Sequence, residues 1–242
     1  MEIPPGVIDA LRDSRHVVAL TGAGVSAESG VPTFREAQSG LWEQFDPHEL
    51  ATPEAFLRDP ELVWRWYRWR RELVAGVAPN AGHFALAELQ EHLKQLTLIT
   101  QNVDGLHQRA GSKGVVEFHG NLFSTRCFVE GTIADGEDDS PAPRCEFCGG
   151  HLRPGVVWFG ESIPGPALEA ASQAVADCDV FMSIGTSSLV WPAAGLAETA
   201  RQNGATVIEI NIETTIHSGD RYFAIEGKSG EVLPELVSYL AV

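Results

Sequence analysis

His119 and the cluster Gln101, Asn102 and Asp104 are the residues of this chain best suited to moving a proton and holding a polar ligand. An imidazole titrates near neutrality, and amides and a carboxylate supply fixed donors and acceptors. Each follows directly on an apolar run, 115–118 before His119 and 96–100 before Gln101. Three further runs end the same way. After 17–20 come Gly22 and Gly24, where missing side chains let backbone N–H groups approach a pyrophosphate. After 180–184 come Gly185, Thr186, Ser187 and Ser188, small donors suited to phosphate or ribose. After 206–210 come Asn211, Ile212 and Glu213, whose carboxylate suits ribose hydroxyls. Plainer uses stay open: Gly-x-Gly also makes a tight turn, Asn and Asp also cap helices, and a single histidine also serves as a satisfied structural residue.

Two other groups carry chemistry. Cys145 and Cys148 have the Cys-x-x-Cys spacing of half a Cys₄ zinc site, and Cys127 stands where the other half belongs. The position that would complete it holds Glu130, so a Cys₃Glu site and loss of the metal are both open. Tyr67 and Arg70, three apart in a Trp- and Arg-rich stretch, share one face of a helix and together can grip a carboxylate. An aromatic core with arginines stacked on tryptophans explains the same residues.

The five runs read as buried parallel strands, and helical patterns at 81–94, 166–176 and 193–202 separate several of them. That alternation predicts an α/β fold, a doubly wound parallel Rossmann-like sheet whose ligands sit beyond the strands' carboxyl ends. The larger lobe is expected at about 1–35, 81–120 and 162–242. A smaller lobe is expected from a helical insertion at about 36–80 and a zinc-ribbon-like insertion at about 121–161. The formal net charge of -16 among 242 residues argues against a general nucleic-acid binder, which needs a basic surface. No 18 consecutive residues are apolar and no leader pattern opens the chain, so a cytoplasmic protein without membrane contact is expected.

The string from Thr21 to Arg35 resembles the signature loop of the sirtuin family almost residue for residue. Further matches follow in family order: Thr100-Gln101-Asn102-Val103-Asp104-Gly105-Leu106-His107, Phe118-His119-Gly120, Pro154 to Glu161, Gly185 to Ser188, and Asn211-Ile212-Glu213. The resemblance covers nearly the whole chain. It implies an NAD⁺-dependent protein deacylase acting on acylated lysines as a monomer, and releasing nicotinamide and acyl-ADP-ribose. His119 is then the catalytic base and Asn102 its catalytic neighbour, with Asn102 and Asp104 lining the nicotinamide pocket and Gln101 touching ribose. The implied cofactor set is Gly22, Ala23, Gly24, Ser26, Ala27, Glu28, Thr33, Phe34, Arg35, Trp42, Gln101, Asn102, Val103, Asp104, His119, Gly185, Thr186, Ser187, Ser188, Asn211, Ile212, Glu213 and Ser229.

The resemblance further implies that Val156, Val157, Trp158, Phe159, Gly160 and Glu161 pair with the substrate backbone by strand addition. Residue types alone make this segment a short buried strand. Tyr-x-x-Arg at Tyr67 and Arg70, with Thr33, is similar to the bacterial-type desuccinylase, demalonylase and deacetylase class (class III), so those two residues are implied to recognise an acyl carboxylate. Any zinc is structural. Mono-ADP-ribosyl transfer and NAD sensing without turnover are the alternatives.

Overall fold

Branched apolar runs become strands here because both their faces are covered, which removes any need for polar alternation. The structure, a computed structural model, describes residues 3–32, 50–134, 140–187, 189–214, 219 and 221–241. In chain order they form α1 (Pro5–Asp13), β1 (Val17–Thr21), α2 (Ala23–Ala27), α3 (Pro53–Arg58), α4 (Pro60–Ala75), α5 (Ala81–His92), β2 (Leu96–Thr100), α6 (Leu106–Arg109), β3 (Val116–Glu117), β4 (Gly120–Cys127), β5 (Leu152–Val156), α7 (Gly165–Asp177), β6 (Val180–Ile184), α8 (Leu196–Gln202), β7 (Thr206–Asn211), β8 (Tyr222–Glu226) and α9 (Ser229–Leu240).

Six strands form a parallel sheet in the order β3-β2-β1-β6-β7-β8. Successive crossovers run one way from β1 to β3 and the other way from β6 to β8. The order therefore reverses between β1 and β6, the place where such sheets open a crevice at the strand ends. Register makes those ends level: Thr21 of β1 lies opposite Thr100 of β2 and Ile184 of β6. One buried cluster packs α1, α5 and α9 on one face, and another packs α7 and α8 on the other.

A third buried cluster joins α3 and α4 to the antiparallel pair β4 and β5, through Phe56, Val63, Trp64, Trp66, Tyr67, Leu122, Leu152, Val156 and Trp158. Helix α4 enters it because its bulky residues recur every three or four positions, the spacing of one helical face. Thr52 caps α3 and Asp59 caps α4, each accepting a backbone N–H of the first turn. Arg71 ties α4 to this pair by donating to the carbonyls of Leu122 and Ser124.

Three expectations need correction. The strand assigned to Val156–Glu161 lies earlier: β5 ends at Val156, and the following residues turn, with Glu161 N–H bonding back to the Trp158 carbonyl at 3.0 Å. The run 115–118 contributes only two ladder residues, Val116 and Glu117. The sheet has a sixth strand, β8, which sequence reading missed although 222–225 is an apolar run as long as 17–20; at the sheet edge Tyr222, Phe223 and Ala224 stay half-exposed. Thr33, Phe34, Arg35, Trp42 and Ser188 lie outside the described residues.

Candidate active site

Two loops meet at the crevice because neither carries a Cβ where they touch. Gly22 N–H donates to the Ile184 carbonyl at 3.0 Å, and Gly24 N–H donates to the Gly185 carbonyl at 2.8 Å. A Cβ on Gly22 would lie 2.7 Å from Gly185 O, and one on Gly24 would lie 2.8 Å from the same oxygen. Gly185 itself has φ +57°, a conformation that costs side-chain-bearing residues energy. The strand ends thus approach as bare backbone, the kind of cradle a pyrophosphate needs. Ala23, Ala27, Glu28 and Ser187 are exposed on its rim.

Beside the cradle lies a connected polar group. Asn102 donates from Nδ2 to the Gly22 carbonyl and to Ser26 Oγ, both at 3.0 Å, and Ser26 Oγ donates to Asp104 Oδ2 at 2.7 Å. Asp104 Oδ1 accepts the Leu106 N–H at 2.9 Å, so this buried carboxylate also holds the first residue of α6. Beneath them, Thr21 Oγ1 donates to Thr100 Oγ1, which accepts the Asn102 N–H. With its one proton so placed, Thr21 Oγ1 accepts at 2.9 Å from His107 Nε2. His107 Nδ1 is buried without a partner, and burial with the nearby His83 drives its pKa down to about 3. Burial also lowers the pKa of His83, against the pull of Asp104 and Glu28. The His83 and His107 rings, tilted at 53° with centroids 4.8 Å apart, were not singled out from sequence, where His107 only closes a family-like string with no role assigned to it.

His119 occupies the turn between β3 and β4. Gly120 is needed there, since at φ +79° a Cβ would lie 2.1 Å from the Gly155 carbonyl. His119 Nδ1 is 3.2 Å from the Gln101 carbonyl. A carbonyl can only accept, so Nδ1 carries the proton and Nε2 keeps a basic lone pair. Burial lowers the pKa of His119, which favours that neutral form.

On the adenosine side of the expected site, Gln101 Nε2 donates to Thr186 Oγ1 at 3.0 Å and Asn211 Nδ2 donates to the Thr186 carbonyl at 3.0 Å. Asn211 Oδ1 accepts the Ile212 N–H, leaving Ile212 and Glu213 exposed beyond β7. Ser229 begins α9, and its hydroxyl donates to Glu28 Oε1 at 2.6 Å, which also accepts Gly230 N–H. Ser229 is buried and its hydroxyl proton is committed to Glu28, so these two residues link α2 to α9.

Residues 157–161 are held from within. N–H groups of Val157, Trp158, Phe159 and Glu161 bond to the His119 carbonyl, Glu161 Oε2, the Ala51 carbonyl and the Trp158 carbonyl, respectively. The Glu161 carboxylate is further paired with buried Arg153 and with Arg126. Val103 contributes its carbonyl to Leu122 N–H, fixing β4 to the Asn102 loop. Tyr67 is buried and accepts at 2.8 Å from Trp158 Nε1. Arg70, one helical turn on, stacks 5.1 Å from the Trp66 ring and lines a cleft with Val31, Pro32, Trp69, Leu73 and Val74.

Cys127, Cys145 and Cys148 converge, with every pair of sulfur atoms within 4.8 Å. Backbone N–H groups of Glu130 and Gly150 point at Cys127 and Cys148 sulfur, each at 3.4 Å, which suits thiolates. These three would hold a metal such as zinc. The Glu130 carboxylate is not among the clustered ligand atoms; Glu130 is exposed and contributes its N–H.

A parallel sheet of Rossmann order, a bare-backbone cradle at its reversal point and a basic histidine beside it agree with the family comparison. The Sir2 family model matches residues 22–192, and the chain belongs to that family. It is 52% identical over 233 residues to NAD-dependent protein deacylase 2 of Pyrobaculum aerophilum, covering 96% of this chain and 93% of that one. With the NAD-dependent protein deacylase of Methylococcus capsulatus it shares 47% over 250 residues, 99% of this chain and 98% of that one. Among solved structures, a Sir2 homologue in complex with NAD superposes with TM-score 0.91 at 45% identity, covering 99% of this chain and 94% of that one. Sir2 bound to an acetylated peptide superposes with TM-score 0.86 at 30% identity, covering 98% of each.

Proposed function

We propose that this chain is an NAD⁺-dependent protein-lysine deacylase, and that it prefers lysines carrying succinyl or malonyl groups while also accepting acetyl. The observation that carries the reaction is His119, with Nδ1 bonded to the Gln101 carbonyl and Nε2 left as base beside the Asn102 loop. When bound, NAD⁺ supplies a ribose carbon with a good leaving group, nicotinamide, which the acyl oxygen of the modified lysine displaces. The glycine cradle fits its pyrophosphate, because Gly22, Gly24 and Gly185 admit no side chains.

Asn102, Ser26 and Asp104 form a preorganised wall for the nicotinamide amide. Gln101 and Thr186 orient ribose hydroxyls, and His119 Nε2 takes the proton from one of them, raising its nucleophilicity toward the acyl carbon. A buried, largely neutral imidazole performs this step near neutral pH. The acidic-acyl preference rests on Arg70, which lines the cleft one turn from Tyr67 and carries a guanidinium of the kind that binds a carboxylate bidentately. With residues 157–161 using four N–H groups internally, a substrate backbone has only the remaining groups of that segment for strand pairing. Thiols at Cys127, Cys145 and Cys148 would hold structural zinc and suit a reducing compartment such as the cytoplasm. Among the described residues no helix is long and apolar enough to cross a membrane.

The test is mass spectrometry of succinyl-lysine and acetyl-lysine peptides of one sequence, incubated with and without NAD⁺. Faster NAD⁺-dependent loss of succinyl, with free acyl-ADP-ribose formed, is the expected result. Faster loss of acetyl removes the acidic preference, and ADP-ribose attached to protein with no acyl loss removes deacylation.

A further inference from the structure

Three donor groups, Trp158 Nε1 and the guanidiniums of Arg70 and Arg153, act on the Tyr67 hydroxyl. Trp158 Nε1, which has no acceptor capacity, donates to the Tyr67 oxygen at 2.8 Å. The phenol therefore accepts in that bond, and its own proton remains to be given to something else. Arg70 lies 5.9 Å from the Tyr67 ring, and Arg70 and Arg153 both act on the phenol electrostatically. Guanidinium groups likewise donate without accepting. The nearest carboxylate, Glu161, is already occupied by Arg153, Arg126 and the Trp158 N–H. Burial keeps the phenol protonated, its pKa raised to about 12.

We propose that Trp158 and Arg153 are specificity-determining positioning residues: together they fix the Tyr67 hydroxyl as a donor toward an acyl carboxylate. Trp158 fills the acceptor side of the phenol oxygen, and Arg153 holds Trp158. The Arg153 guanidinium is 3.3 Å from the Trp158 ring centre, is buried, and is anchored by Glu161 and by the carbonyls of Pro154 and Val156. A stack this close fixes the ring plane and withdraws electron density from it, strengthening its N–H as a donor. A carboxylate, an acceptor without a proton at neutral pH, completes the set; a neutral acetyl methyl does not. This inference rests on the acidic-acyl reading above.

The experiment measures kcat and KM on succinyl- and acetyl-lysine peptides for wild type, Arg70→Met, Arg153→Lys, Trp158→Phe, Tyr67→Phe and the Trp158→Phe/Tyr67→Phe double variant, with circular dichroism as a folding check. Trp158→Phe keeps an aromatic ring in the core while removing the N–H together with part of the indole, and with circular dichroism to verify folding it carries the test if Arg153→Lys does not fold. Loss of one charge-assisted hydrogen bond predicts that Trp158→Phe and Arg153→Lys lower the succinyl-to-acetyl ratio of kcat/KM by about 10-fold, through KM of the succinyl peptide. In the Tyr67→Phe background, Trp158→Phe should leave that ratio unchanged, because the hydroxyl it orients is gone. Equal losses on both peptides, or additive effects in the double variant, overturn the proposal. If those results come while Arg70→Met still selectively impairs desuccinylation, the acidic-acyl reading stands and only this inference falls. If wild type shows no succinyl preference and Arg70→Met affects both peptides alike, both fall.

Discussion

Ser26 of α2 and Asp104 of the β2–α6 loop are joined by a 2.7 Å hydrogen bond from hydroxyl to carboxylate, which ties the glycine loop to the polar loop across the end of β1. Asn102 Nδ2 bonds the same hydroxyl, so one small side chain holds both polar residues of the proposed nicotinamide wall.

Ser26→Ala should therefore weaken both. Asp104 is buried and loses a charge-assisted donor, a cost of about 1.5–3 kcal/mol. We expect a lower melting temperature together with at least about a 10-fold fall in kcat/KM with respect to NAD⁺, measured by nicotinamide release. Unchanged NAD⁺ kinetics would detach Ser26 from the site.

His119 acts when neutral, and burial lowers its pKa from the ordinary value of 6.5. Activity that needs the free base is complete above the folded pKa and lost below it. The acid limb of kcat/KM should accordingly fall below pH 6.5. Replacement His119→Ala should abolish that limb and cut kcat about 10²–10⁴-fold. An acid limb above pH 6.5 would contradict the buried neutral assignment.

Stability should depend on pH through His107. Unfolded, this histidine takes up a proton as the pH falls through 6.5, whereas folded it resists until about 3. The unfolded state thus binds more protons in that window, and stability falls with decreasing pH by up to about 1.4 kcal/mol per unit. Chemical denaturation at pH 7 and pH 5 measures it, and His107→Gln should flatten the slope. An equal slope in that variant would place the effect elsewhere.

Cys145→Ser should reduce bound zinc below one per chain, measured by elemental analysis, and lower the melting temperature, because Cys127 and Cys145 lie in the core shared with α3 and α4. Glu130→Gln should leave zinc content unchanged, since the carboxylate stands apart from the thiols. Loss of zinc in Glu130→Gln would return that residue to the ligand set.

The sequence by itself determined the parallel sheet, since five two-faced apolar runs leave no solvent-facing pattern to compete with burial, and it determined which residues stand at the strand ends. Gly22, Gly24, Gly185, Asn102 and His119 were legible because each follows such a run or belongs to a long family-like string. What the tertiary structure decided was which polar groups are already committed to one another. Glu28 and Ser229 are 201 positions apart and meet only when α9 packs beside α2. The Glu161 carboxylate closes on Arg153 and, from 35 positions away, on Arg126. The Tyr67 oxygen accepts its hydrogen bond from Trp158, 91 positions away. Hydrogen-bond capacity is finite and is divided among neighbours in space, so no spacing along the chain could reveal how these groups share it.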